Sequence, residues 1–165
     1  MTNRLHQLAR VAEGRYFQPE ERDQFLTYAG SVPSRFAAAD ALSEHEEAVL
    51  KATVGDLQQR YPNFAKHHHQ GWAKCYRDLQ LVIRQDAQAL IFDDVQMLDD
   101  KTLAWLRTIL AANNLTPQFC RDAFTLLRDH VKSRLGPEHY ELLQPFLDRN
   151  IEVLSEFPEP ATPAV

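Results

Sequence analysis

The chain has 165 residues, of which 44% are hydrophobic and 25% are charged, and its formal net charge is −5. This length and composition are typical of one soluble globular domain. The negative charge argues against nucleic-acid binding, and no apolar stretch approaches the roughly 20 residues that cross a bilayer.

Proline, glycine and cap residues divide the first third of the chain into short predicted helices. Gly14 is expected to end a first helix that Thr2 caps, and Pro19 to begin a second. Pro33 begins a third, and Ser43 begins a fourth because an acidic residue follows it at the capping-box spacing. The predicted spans are 2–14, 19–30, 33–41 and 43–61.

Four longer helices follow a polar loop at 63–71, which contains three consecutive histidines at 67–69. No stretch alternates apolar and polar residues for long enough to predict a strand. Pro117 and Pro137 occupy first helical positions, and Pro145 predicts a bend in the last helix. The predicted spans are 72–92, 99–113, 117–136 and 137–154.

This order of helices predicts an all-α, globin-like helical fold with an extra N-terminal two-helix hairpin. We expect one domain over 1–155, made of the hairpin at 1–32 and a globin-like core at 33–155. Three prolines fall within 156–165, and we expect this segment to be a disordered tail.

One short segment combines a thiol, a carboxylate and two basic groups. Cys75 and Asp78 are three residues apart, so on a helix they share a face, with Lys74 and Arg77 on its flank. A carboxylate in an apolar space needs a hydrogen-bond donor or a cation as partner. A linear tetrapyrrole offers an unsaturated carbon for the thiol, pyrrole N–H groups for the carboxylate and propionates for the basic residues. A linear tetrapyrrole is therefore a ligand that fits this arrangement, and the Cys75 thiol could join it through a thioether.

The segment Cys75-x-Arg77-Asp78 resembles the Cys-x-Arg-Asp bilin attachment motif of cyanobacterial phycobiliproteins such as allophycocyanin and phycocyanin. Gly-Arg-Tyr at 14–16 resembles the family's turn between its two N-terminal helices. Leu-Thr-Pro at 115–117 resembles the start of its penultimate helix. The resemblance implies that Cys75 attaches the bilin, that Asp78 contacts the central pyrrole nitrogens and that Arg77 contacts a propionate.

Three departures from the family pattern bear on the role of the protein. Gln-Asp-Ala-Gln at 85–88 replaces an aromatic segment, and Phe119 with Cys120 replaces an aromatic pair that packs on the outer bilin ring. Val11 replaces an acidic residue that pairs with a partner's arginine, although Arg84 matches that arginine. The departures favour an accessory role in bilin handling, sensing or bilin biosynthesis over a bulk light-harvesting antenna.

The segment 85–88 also favours an alternative, a pigment-free assembly or regulatory partner of phycobilisomes or of bilin-synthesising enzymes. A heme-binding globin is a minor alternative, because the predicted helix at 99–113 has no histidine to serve as an axial ligand. The histidines at 67–69 point in different directions, so we expect a solvated loop and no metal site. Cys120 is expected to be buried and inert, and a surface pair with Lys74 is the simplest alternative role of Asp78.

No Ser-His-Asp pattern or glycine-rich phosphate loop occurs, so we expect no enzyme and assign no catalytic residue. The N-terminus lacks the apolar core of a signal peptide, and the two cysteines have no paired spacing. We therefore expect a cytoplasmic protein. Leu5, Leu8, Phe25 and Leu26 should give the hairpin an apolar face, which predicts a homodimer formed through it.

Overall fold

The structure is a computed structural model that describes residues 4–161, with side chains described from residue 7 onward. No strand occurs in this part of the chain, and the predicted all-α, globin-like fold is confirmed. The α-helices are α1 (Arg4–Val11), α2 (Pro19–Arg60), α3 (Phe64–His67), α4 (Gly71–Phe92), α5 (Gln96–Leu98), α6 (Ala104–Ala112), α7 (Pro117–Arg134) and α8 (Pro137–Leu154). A π-helical turn, Asp99–Leu103, joins α5 to α6.

The first half of the chain differs from the prediction, because one helix of 42 residues replaces the three predicted at 19–30, 33–41 and 43–61. Pro33 is exposed, so its ring and the hydrogen bond it removes lie on the solvent side of α2. Ser43 lies inside α2 and caps no helix. Glu46, the expected capping-box partner, pairs with Arg84 of α4 through Nη2–Oε1 and Nε–Oε2 distances of 2.7 and 2.9 Å. The Gly30 position has ordinary helical backbone.

The later helices follow the prediction closely. Helix α4 begins one residue before the predicted span, and α7 begins at Pro117 with the Thr116 hydroxyl accepting from the Phe119 backbone N–H at 3.0 Å. Helix α8 begins at Pro137, as predicted. The predicted helix at 99–113 starts with the π-helical turn, where Asp99 accepts two hydrogen bonds from Arg149 of α8 at 2.8 and 2.9 Å.

A single hydrophobic core lies between α2, α4, α7 and α8, with α6 closing one side. Each fully buried leucine or isoleucine in it contributes about 1.5–3 kcal/mol of burial free energy. Helix α2 contributes to this core from Ala38 to Leu57, so tertiary packing sustains its second half. The largest fully buried side chains include Leu50, Leu57, Leu79, Ile83, Leu90, Leu106, Leu127, Leu143, Leu147 and Leu154.

The N-terminal hairpin consists of α1 and the first turns of α2. The Arg15 guanidinium holds the Glu21 carboxylate at 2.7 and 2.8 Å across the turn, and Gly14 takes the positive φ of 81° that the turn requires. Val11 and Leu26 are exposed to 67% and 59%. The hairpin therefore presents apolar side chains that this subunit does not cover.

Several of the predictions concern the two ends of the chain. The predicted cap Thr2 and residues 162–165 of the predicted tail lie outside the described residues, as does the side chain of Leu5. Phe157, inside the predicted tail, is half-buried against the core. Between residues 4 and 161 no helix combines the length and apolarity needed to span a membrane. The division of the domain at residue 32 stays a prediction, although α2 runs through that position.

Candidate functional site

A cavity of about 430 Å³ opens beside the first turns of α4. Its walls come from α3, the loop after α3, α4, α6, the loop after α6 and α7. Cavities of this size hold small-molecule ligands and cofactors in many proteins. The five residues that the sequence predicts as binding residues all line it, namely Lys74, Cys75, Arg77, Asp78 and Phe119.

The Cys75 thiol faces this cavity from α4 and is half-buried. Burial raises the pKa of the thiol to about 12, and the neighbouring Asp78 carboxylate adds to the rise. A thiol acts as a nucleophile only as the thiolate. At neutral pH the Cys75 sulfur is therefore protonated, and a reaction at this sulfur needs a base or an enzyme to remove the proton.

The Asp78 carboxylate is paired with the next residue along the chain. Arg77 donates from Nη2 and Nε to Asp78 Oδ1 at 2.9 and 3.2 Å. The Arg77 side chain is 71% exposed, whereas that of Asp78 is 24% exposed. The alternative surface pair of Asp78 with Lys74 is not the one the structure contains, and Lys74 has no ion pair with any residue described between 4 and 161.

Phe119 belongs to an aromatic wall, of which its own ring and that of Phe64 line the cavity on the α3–α7 side. Its ring stacks on Phe64 with the centroids 4.7 Å apart, and Tyr61 meets it edge-on at 5.0 Å. Trp72 packs on Phe64 with the centroids 4.5 Å apart, and neither Trp72 nor Tyr61 lines the cavity. A wall of flat rings of this kind suits a planar, conjugated ligand.

A hydrogen-bond network fixes the end of α2 beside this wall. The Tyr61 hydroxyl donates to Asp122 of α7 at 2.7 Å, and Arg60 and Gln118 donate to the same carboxylate at 2.9 Å. Partial burial and the hydrogen bond to Asp122 raise the pKa of Tyr61. The hydrogen bonds that the Asp122 carboxylate accepts outweigh its partial burial and lower its own pKa. The network holds the Tyr61 ring against Phe119.

Sequence reasoning missed two sets of cavity residues. Cys120, expected to be inert, is buried as predicted but lines the cavity together with Cys75, so both cysteines of the chain face one space. The three histidines at 67–69, expected on a solvated loop, also line it. In the part of the chain with described side chains, no group of three or more His, Cys, Asp or Glu residues is arranged to hold a metal ion.

Gly71 explains how the histidine loop comes so close to α4. A Cβ at this position would lie 2.8 Å from both His68 Cβ and a Phe64 ring carbon. Only glycine leaves room for this approach. The loop is therefore pressed against the start of α4, directly beside the cavity.

Comparison with known proteins identifies the family of this chain. A sequence profile described as "Phycobilisome protein" matches residues 10–154, an interval that includes every residue lining the cavity. The chain belongs to the phycobilisome protein family.

Relatives within this family are distant. A phycobiliprotein beta chain of Mastigocladus laminosus is 24% identical over 74% of this chain and 76% of its own length. An allophycocyanin alpha chain of Anabaena cylindrica is 26% identical over 58% of this chain and 63% of its own. An allophycocyanin subunit beta-18 of Synechocystis sp. is 26% identical over 57% of this chain and 59% of its own. The chain thus spans less than two thirds of the two allophycocyanin relatives, and it is a divergent family member.

Proposed function

We propose that this phycobilisome family protein binds a linear tetrapyrrole in the cavity beside α4. The observation that carries the proposal is that Lys74, Cys75, Arg77, Asp78 and Phe119 all line one cavity of about 430 Å³. The names of its relatives, phycobiliprotein and allophycocyanin, agree with a pigment ligand.

Each of these residues matches one chemical feature of the ligand. The Asp78 carboxylate accepts hydrogen bonds from pyrrole N–H groups, and Arg77 and Lys74 neutralise the propionates. Phe119 packs on an outer ring within the aromatic wall. A bound bilin would supply absorption of visible light, and the protein would supply the shape and charge that hold it extended.

Covalent attachment at Cys75 is the finer part of this proposal. The reaction joins the sulfur to an exocyclic carbon of the bilin and transfers the thiol proton to the bilin, so no oxidant is needed. Because burial raises the pKa of this thiol to about 12, attachment at neutral pH is expected to be slow without a lyase.

An accessory role in bilin handling, sensing or biosynthesis suits the chain better than that of a bulk antenna subunit. Asp86, within the segment that departs from the family pattern, is fully buried and faces Asn150. Arg84 is occupied by Glu46 of its own subunit and is not free for a partner. Both features favour a role other than that of a standard antenna subunit.

A second candidate is a pigment-free assembly or regulatory partner of phycobilisomes or of bilin-synthesising enzymes. The observation in its favour is the Arg77–Asp78 pair, which balances the cavity's carboxylate without any ligand. In either role we propose a homodimer through the exposed hairpin, whose face includes Phe25 and Leu26.

The deciding experiment is co-expression of the chain with bilin-synthesising enzymes and a bilin lyase, followed by a denaturing gel stained for zinc-enhanced bilin fluorescence. We expect a fluorescent band for the wild type and for Cys120→Ala, and none for Cys75→Ala. A coloured native protein without a band would mean that the bilin is held without a covalent bond. A colourless wild-type protein would contradict the pigment proposal and favour the pigment-free role.

A further inference from the structure

We propose that Tyr61 is a positioning residue for the ligand, because its hydrogen bond to Asp122 fixes the two aromatic rings that line the cavity. The inference rests on the proposed function, since it concerns the same cavity. It assigns to a side chain outside the cavity control over ligand affinity and over the twist of the bound ligand.

The two rings that line the cavity belong to separate segments of the chain. Phe119 lies in the first turn of α7 and Phe64 begins α3, and their rings stack with the planes 12° apart. Helix α3 has only four residues, which is too short for a helix to be stable on its own hydrogen bonds. The orientation of the stacked pair therefore depends on contacts that join the start of α3 to α7.

Tyr61 makes such a contact. It follows the last residue of α2, and its backbone oxygen accepts from the Phe64 backbone N–H at 3.1 Å. Its hydroxyl donates to Asp122 at 2.7 Å, and its ring meets Phe119 edge-on with the centroids 5.0 Å apart. Asp122 lies three residues after Phe119, about one turn further along α7. One side chain thus joins the start of α3 to the turn of α7 that carries the cavity-lining ring.

The Asp122 carboxylate has other donors that hold it in place. Its side chain is 16% exposed, Arg60 pairs with it at 2.9 Å, and Gln118 donates to it at 2.9 Å. Hydrogen bonds to a charged acceptor are the stronger kind in proteins. Removal of the Tyr61 hydroxyl would therefore cut one link and leave the carboxylate where it is.

Loss of this link should affect a flat, conjugated ligand in two ways. Such a ligand gains affinity from rings that keep a favourable orientation, and one aromatic contact changes affinity by a factor of about two to ten. A linear tetrapyrrole can also twist about the carbon bridges between its rings. A fixed pair of aromatic rings would select one twist, whereas a mobile pair would admit several.

The test compares Tyr61→Phe with its parent in the Cys75→Ala background, where only non-covalent binding is measured. Absorbance titration with biliverdin, a linear tetrapyrrole, gives the affinity, and visible circular dichroism per bound biliverdin reports the selected twist. The matched control is Tyr28→Phe, which removes another half-buried tyrosine hydroxyl of α2. That hydroxyl donates to the Ile91 backbone oxygen at 3.3 Å, and neither residue lines the cavity. Asp122→Asn is the conservative variant, because its amide oxygen can still accept from Tyr61.

We expect Tyr61→Phe to bind biliverdin about two- to tenfold more weakly than its parent and to show a weaker dichroism band per bound molecule. Tyr28→Phe and Asp122→Asn should resemble the parent in both measurements. Parent-like affinity and dichroism in Tyr61→Phe would overturn the positioning role. So would an equal loss in Tyr28→Phe, because a general loss of stability would then explain both variants. Failure of the parent to bind biliverdin would overturn the proposed function itself, and this inference with it.

Discussion

At the scale of single residues, Asp78 already has a partner that any ligand must displace. Arg77 holds its carboxylate at 2.9 Å, but the Arg77 side chain is 71% exposed, and such pairs contribute at most about 1 kcal/mol. Hydrogen bonds from ligand N–H groups to a charged acceptor away from water contribute about 1.5–3 kcal/mol. For the proposed bilin, exchange of Arg77 for pyrrole donors would therefore be favourable, and it would free the guanidinium for a propionate.

Gly71 provides a prediction at the same scale. In Gly71→Ala the new Cβ would lie 2.8 Å from the His68 Cβ and from a Phe64 ring carbon, so the loop must move. We expect a loss of about 1–3 kcal/mol of unfolding free energy and weaker ligand binding. Urea unfolding measures the first effect and absorbance titration the second.

The matched control is Gly55→Ala, in the interior of α2, where an added Cβ meets no atom within 4 Å. There the substitution should stabilise the protein by about 0.5–1 kcal/mol, because alanine favours the helix more than glycine does. Equal stability of Gly71→Ala and the wild type would show that the loop is not pressed against α4.

The extent to which the site could be predicted depends on how regular the local structure is. The i, i+3 spacing of Cys75 and Asp78 predicted a shared helix face, and both line the cavity. The histidine loop could not be placed in this way, because α3 is a helix of four residues held by the packing of Phe64. No periodic pattern in the sequence marks a loop whose position depends on one buried ring.

At the scale of helices, α2 shows why proline, glycine and cap residues predicted the wrong helix boundaries. A proline inside a helix costs about 3 kcal/mol and a glycine about 1 kcal/mol. Contacts on both sides of Pro33 offset this cost, since the Tyr28 hydroxyl donates to the Ile91 backbone oxygen at 3.3 Å and Arg35 pairs with Asp93 at 2.7 Å. These partners are more than 50 residues away, so a local pattern cannot predict them.

Asp86 gives the prediction that belongs to the packing of α4 on α8. Its carboxyl is fully buried, burial raises its pKa to about 7, and Asn150 is its hydrogen-bond partner at 2.8 and 3.0 Å. The ordinary pKa is 3.8, so the folded state binds this proton more tightly than the unfolded state. Stability should therefore fall as the pH rises from about 4 to about 7 and level off above that.

The variant Asp86→Asn isolates this effect. Its amide could donate to Asn150 Oδ1, which is buried without a hydrogen-bond partner, while its own oxygen accepts from Asn150. Between pH 5 and pH 8 the wild type should lose about 2 to 3 kcal/mol more unfolding free energy than this variant. Urea titrations at the two pH values measure the difference, and parallel behaviour of both proteins would mean that Asp86 does not carry the proton.

At the scale of the whole molecule, two features argue against assembly with a partner through ion pairs. Arg84 is engaged by Glu46 within the same subunit at 2.7 and 2.9 Å. The hairpin offers Val11, Phe25 and Leu26 to solvent, and these side chains have no charge to specify an unlike partner. A surface of this kind is suited to self-association through a two-fold axis, in which the same apolar patch meets its copy.

The prediction for assembly is a homodimer that one charge on the hairpin disrupts. Leu26 is 59% exposed, and in a dimer the variant Leu26→Glu would bury two like charges in an apolar interface, which strongly favours separation. Light scattering at tens of micromolar should give twice the subunit mass of 19.0 kDa for the wild type and the single mass for the variant. The control Ala48→Glu adds the same charge to an exposed position of α2 outside the hairpin and should remain dimeric. A monomeric wild type would exclude the homodimer. A monomeric control would mean that the interface is not confined to the hairpin.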